Sequence, residues 1–167
     1  FGDTTNTVTN GAPVNSTTRG LMCGGGTPVG QENVIQFITI ATTGDAQDFG
    51  DLTLARTGAT GCSNSIRGLF MSGRVAPTNY NIIEFITIAT TGDAQDFGDL
   101  SYVRIQASAA ANKIRGVLIG GNPGSSPYNH TEMSKVTIDT TGDATDFGDC
   151  FPARTRGSVS DSHGGLS

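Results

Sequence analysis

Residues 37–51 read FITIATTGDAQDFGD, and residues 85–99 read FITIATTGDAQDFGD again, letter for letter. Residues 136–149 read VTIDTTGDATDFGD, a drifted third copy. A segment that returns at a fixed interval of this size specifies an architecture. It also bears on function, because a fragment written three times is not a one-off active site. Cutting the chain at each FGD divides one repeat domain, residues 1–167, into units 1–48, 49–96 and 97–146 and a partial unit 147–167. The chain opens at Phe1-Gly2-Asp3 and ends at Ser167, both in mid-pattern, as a fragment, a processed product or one part of an assembly would.

Working outward from the repeated words, each unit reads as short strands. Arg67-Gly68-Leu69-Phe70-Met71-Ser72-Gly73 is an apolar run too short for a helix and closed by Gly. Its counterparts are residues 19–25 and 115–121. Apolar residues on both alternating faces predict a strand covered on both sides. A variable loop containing Pro follows, and then Ile82 to Ile88, β-branched and aromatic, is a second strand. Thr90-Thr91-Gly92-Asp93 has turn chemistry. Residues 96–104 predict a third, edge-like strand, with DFGD following the interior strand in a tight turn, and residues 105–114 a fourth. A helix over Ala107 to Ala111 is disfavoured, because its counterparts contain Gly, Pro and Thr.

Four short strands in about 50 residues, one ending at a Gly pair, describe a propeller blade. The repeat resembles the kelch-type β-propeller motif. The doublets are Gly24-Gly25 and Gly120-Gly121, with Ser72-Gly73 in the second unit, and the strand aromatics are Phe37 and Phe85. Phe49, Phe97 and Phe147 stand where that family has Trp, and Arg56, Arg104 and Arg154 stand near its Arg. The departures are the absence of Trp, the broken doublet, and Val8 where the first unit should carry Arg. The wording TTG(D/N)AxDFGDL…R, with SDSHGGL near the end, also resembles repeat proteins of tailed phages of aquatic bacteria. The resemblance implies an all-β repeat architecture of about 48-residue four-stranded units, a kelch-like β-propeller that is partial or completed by association.

Composition narrows the function classes. The net charge of −5 argues against a nucleic-acid partner, which calls for a basic stripe. No apolar run reaches membrane-spanning length, so membrane insertion is not expected. With 24 Gly, no Trp and 35% hydrophobic residues, the core supply is thin and turns are many. Cys23, Cys62 and Cys150 fall in different columns without metal-ligand spacing; buried apolar thiols are the preferred reading, and one disulfide with a free thiol the other.

Asp48-Phe49-Gly50 spells the kinase metal-binding triplet, but it recurs in every unit without the Lys-bearing strand or the His-Arg-Asp loop. The structural reading has Phe packing between units, Gly turning the chain and Asp accepting backbone N–H groups. Asp51 is also placed to pair with Arg56 or Arg67. The sharper alternative is calcium held by Asp45, Asp48 and Asp51, and equally by Asp93, Asp96 and Asp99, three residues apart beside Gly. No EF-hand or toxin-repeat spacing is present, so no cofactor and no metal is the preferred expectation. His130 and His163 lie in non-equivalent places, and no catalytic constellation emerges. Sequons place glycosylation candidates at Asn15 and Asn129, both expected in loops.

These readings converge on a non-enzymatic structural or adhesive repeat protein of a virion or cell-surface appendage. Loops such as 74–81 and 122–131 would vary on a fixed scaffold and meet a host-surface glycan or protein. The rival is a self-assembling extracellular filament subunit whose incomplete end units complement neighbouring chains. Partners are then other copies of the chain or further repeats of a longer one. Three units and a remainder are too few to close a ring of roughly 4–8 blades, so open sheet edges and association are expected.

Overall fold

A computed structural model describes residues 2–125 and 130–153. The described residues are all-β, in three four-stranded antiparallel sheets and one small hairpin. No helix among them is long and apolar enough to cross a membrane. Sheet I contains β1 (Ala12–Asn15), β2 (Arg19–Thr27), β3 (Gly30–Thr39) and β4 (Gln47–Asp51). Sheet II contains β5 (Thr60–Ser63) and β6 (Arg67–Met71). After the hairpin of β7 (Arg74–Val75) and β8 (Thr78–Asn79), it continues with β9 (Ile82–Thr87) and β10 (Gln95–Asp99). Sheet III contains β11 (Ser108–Ala111), β12 (Arg115–Ile119), β13 (His130–Thr137) and β14 (Thr145–Ala153). Each sheet is a meander in chain order.

The three sheets share one register. Ala12 faces Cys23, Thr60 faces Met71 and Ser108 faces Ile119. Phe37 and Phe85 lie on β3 and β9, each paired on both sides, so the FIT segments are interior strands as their composition predicts. The Thr-Thr-Gly-Asp words are turns: Thr90 N–H donates to the Thr87 carbonyl at 3.1 Å, and Thr140 N–H to Thr137 at 3.1 Å. Ser108–Ala111 is a strand, which settles the poly-Ala stretch against a helix.

DFGD is the edge-like strand expected over residues 96–104, confined in sheet II to Gln95–Asp99, and not the tight turn also expected there; it is the outer strand of each sheet, with the register slipping between Asp48 and Gly50 and between Asp96 and Gly98. Gly50 and Gly98 sit at φ 143° and 142°, where a bulge takes Gly readily. Cutting the sequence at FGD therefore runs through a strand; the sheets span 12–51, 60–99 and 108–153. All four strands of the first sheet lie within residues 12–51. Residues 100–104 leave the sheet and carry the chain to the next one.

Two clusters form the core, each between sheets. Val14, Leu21, Phe37 and Phe49 of sheet I pack with Phe70, Ile86 and Ile88 of sheet II. Leu69, Met71 and Phe97 of sheet II pack with Leu118, Val136 and Ile138 of sheet III. Sheet II is thus covered on both faces, as its apolar runs predict, with Leu69 and Phe70 both fully buried. Sheets I and III each keep one face open among the described residues; Met22, Ile38, Val117 and Ile119 are only half-buried.

Candidate functional site

The junctions between sheets explain the repeated words. The Phe49 and Asp51 carbonyls of β4 accept the N–H groups of Gly92 (2.7 Å) and Ala94 (2.8 Å), on the turn of the next sheet. The Phe97 and Asp99 carbonyls accept those of Gly142 and Ala144 at the same distances, 2.7 and 2.8 Å. The turn answers: Asp93 Oδ1 accepts the Asp51 N–H at 3.0 Å, and Asp143 Oδ1 accepts the Asp99 N–H at 2.9 Å. Asp45 does the same for Asp3 at 3.0 Å. Each DFGD strand and the following TTGD turn therefore make one clasp. Gly is required within it, since a Cβ on Gly50 would stand 2.5 Å from the Gly92 carbonyl carbon.

The calcium candidates are engaged in this clasp. Asp93 holds a backbone N–H of the neighbouring strand β4, Asp45 that of Asp3 in the N-terminal segment, and Asp48 accepts the Gly50 N–H at 3.3 Å. Asp51, Asp96 and Asp99 lie along exposed outer strands. Among the described residues no three His, Cys, Asp or Glu side chains gather as a metal group. Asp51 does not pair with Arg56 or Arg67 as expected; the two Arg have other partners.

Arg56 and Arg104 are fully buried. Arg56 Nη1 pairs with Glu84 Oε2 of β9, and its Nη2 donates to the Phe70 carbonyl at 3.4 Å. Glu84 Oε1 also accepts the Thr53 N–H at 2.7 Å. Arg104 Nη2 donates to Ser134 Oγ at 2.6 Å and to Glu132 Oε1 at 3.4 Å. Burial lowers the Arg104 pKa from its ordinary value, against the opposing charge of Glu132. In sheet I the pair is neutral: Val8 stands for Arg and Gln36 for Glu, and Gln36 Oε1 still accepts the Thr5 N–H at 2.8 Å. Arg154 and Asn129 lie outside the described residues.

The stacking of Arg19 and Arg67 on the strand aromatics was not among the sequence expectations. Arg19 lies 4.6 Å over the Phe37 ring and donates to Ile88 O of the next sheet at 2.8 Å. Arg67 lies 4.7 Å over Phe85 and donates to Ile138 O at 3.2 Å. The signal was present: one Arg before Gly and one Phe recur together in the first two units.

The Phe column is not uniform, which corrects the expectation of three equivalent buried rings. Phe49 and Phe97 are each 2% exposed, edge-on to Phe37 and Phe85 at 5.9 and 6.1 Å. Phe147 is 46% exposed, with Lys135 Nζ 5.8 Å from its ring where the other units have Phe. No further sheet covers it among the described residues. Asn15 is also not in a loop; it closes β1, with its N–H and carbonyl both bonded to Ser63 Oγ. Cys23 and Cys62 are buried free thiols, as expected for small apolar residues, and Cys150 is half-buried. Burial raises the Cys23 pKa and pushes that of Cys62 up to about 12.

Two kinds of surface remain. Beside each TTGD turn is a shallow polar cleft, of about 60, 280 and 350 Å³ in sheets I, II and III. On the open face of sheet I is an apolar cleft of about 390 Å³, lined by residues including Pro13, Gly20, Met22 and Ile38. At the other end of the sheets, the connections between strands two and three differ from unit to unit: Pro28-Val29, the β7–β8 hairpin, and in sheet III a segment of which residues 120–125 are described. No protein-family model and no curated relative matches the chain. The class in hand is an all-β protein of four-stranded antiparallel sheets.

Proposed function

We propose that the chain is a non-enzymatic structural and adhesive repeat protein, a run of kelch-like propeller blades on a virion or cell-surface appendage. One observation carries this reading. The three sheets keep the same register and the same clasp, while the connections at one end change length and sequence. Constant sheets with variable hairpins suit a platform that presents binding loops, to a host-surface glycan or protein. The Arg56–Glu84 pair, Asp93 and Asp143, and the Phe49 and Phe97 rings take part in packing and joining the sheets, a structural use of these columns that supports the reading.

Immuno-electron microscopy of native particles, with antibody against the chain, tests the location. Label on tail, fibre or capsid surface supports the reading; label confined to the interior of infected or producing cells contradicts it. Replacing residues 74–81 by a Gly-Ser turn should abolish adhesion to host cells without unfolding the sheets. The rival reading, a self-assembling filament subunit, is favoured by the open faces of sheets I and III.

A further inference from the structure

We infer that the open faces of sheets I and III are two halves of one heterologous interface, and that a second copy of this chain docks its sheet III onto the sheet I cleft. The inference deepens the self-association part of the proposed function and rests on it. Its template is inside the molecule. At both internal junctions a receiving face of Gly, a large apolar residue, Ile or Val, and Ala meets an inserting face carrying Leu and Phe. The receiving residues are Gly68, Phe70, Ile86 and Ala94 in sheet II, and Gly116, Leu118, Val136 and Ala144 in sheet III. Sheet I has the same face unfilled, in Gly20, Met22, Ile38 and Ala46, at the cleft. Sheet III has the inserting face uncovered, in Ala110, Val117, Ile119 and Phe147, with Lys135 standing in the Phe37 and Phe85 column.

The glycine notch shows the fit. A Cβ on Gly68 would lie 2.8 Å from Val14 Cγ2, and one on Gly116 would lie 2.7 Å from Cys62 Sγ, so each notch is filled from the preceding sheet. A Cβ on Gly20 would meet nothing closer than Ile38 of its own sheet, at 3.5 Å. The residue in the Val14 and Cys62 column of sheet III is Ala110, whose methyl suits that notch. The clasp shows the other half. Gly50 and Gly98 press on the next turn, whereas a Cβ on Gly148 would meet only Met133 Cε, at 3.9 Å.

Gly2 and Asp3 currently hold the sheet I turn, Gly2 donating to the Gly44 carbonyl at 3.0 Å and Asp3 accepting from Ala46 at 2.9 Å. Gly148 and Asp149 of a second copy carry the same two residue types, so docking exchanges like for like. Two unlike faces on one chain generate rings or open filaments.

Sedimentation velocity of the full chain tests this. The wild type should associate as concentration rises. Gly20→Val fills the notch and Ala110→Gln overfills it, each at a position with room in the isolated chain. Either variant alone should associate at least about tenfold more weakly. Mixed together, they should form a one-to-one dimer that grows no further, since each retains the face the other lacks. Met22→Glu and Phe147→Glu serve as second variants on the two faces, should either of the first fail to give a folded far-UV spectrum. Unchanged association of all variants overturns this interface while self-association stands. A wild type that stays monomeric at micromolar concentration overturns both, and assigns the faces to neighbouring units of a longer chain or to another protein.

Discussion

Phe97 and Phe147 carry the same letters around them and meet different fates. Phe97 is sandwiched between sheets II and III against Phe85, while Phe147 faces outward beside Lys135. Phe97→Ala, and likewise Phe49→Ala, should cost about 3–5 kcal/mol in urea unfolding. Phe147→Ala should cost under about 1 kcal/mol in the monomer, as a surface change does. Equal costs for all three would contradict the packing. Gly98 combines φ 142° with a neighbouring backbone 2.6 Å from where a Cβ would stand. Gly98→Ala should therefore destabilise clearly, while Gly30→Ala, with open space, should not. For the thiols, burial opposes ionisation and raises the pKa of Cys23 and Cys62 alike. At pH 8 a thiol reagent should modify Cys150 in the native protein and reach the other two only on unfolding. Rapid modification of all three would refute their burial.

At the scale of elements, the informative comparison is between units. Val8 with Gln36, Arg56 with Glu84 and Arg104 with Ser134 occupy the same two columns, and in the third unit the carboxylate comes instead from Glu132, two residues before Ser134 on the same strand. Glu84→Gln alone leaves a buried guanidinium uncompensated and should cost about 3–5 kcal/mol. Arg56→Val with Glu84→Gln recreates the sheet I arrangement and keeps an acceptor for Thr53 N–H, so the double variant should be far less destabilised than the single. A double-mutant cycle measures this directly, and additive costs would remove the pair from the account. The interior strands, the TTGD turn and the absence of a helix at 107–111 were legible, because β-branched runs and turn residues act locally. The edge-like strand at DFGD was legible too, but the tight turn expected within it is a bulge at Gly, a distinction only the partner strand makes. Glu84 was overlooked inside Ile-Ile-Glu-Phe because its partner is 28 positions away (84 − 56) in the linking segment. Phe147 was misjudged because identical words do not guarantee an identical neighbour.

For the whole molecule, the core lies between stacked sheets, and the Asp columns are expected to serve the backbone and not a metal. Thermal melting with chelator and with added calcium should coincide; a rise of several degrees with calcium would return the Asp columns to a binding role. The central claim is that the repeated DFGD and TTGD words form clasps that join the sheets into one cooperative body. Hydrogen exchange resolved to single amides tests it most directly. Gly92 and Gly142 sit in exposed turns and Ala94 and Ala144 in the inward segments just after them, all outside the strands, yet each donates to a carbonyl of the preceding sheet. The account predicts that these four amides exchange as slowly as those of the interior strands β9 and β13, through the same global opening. Exchange at the rate of an unprotected turn, while the strands stay protected, would contradict it.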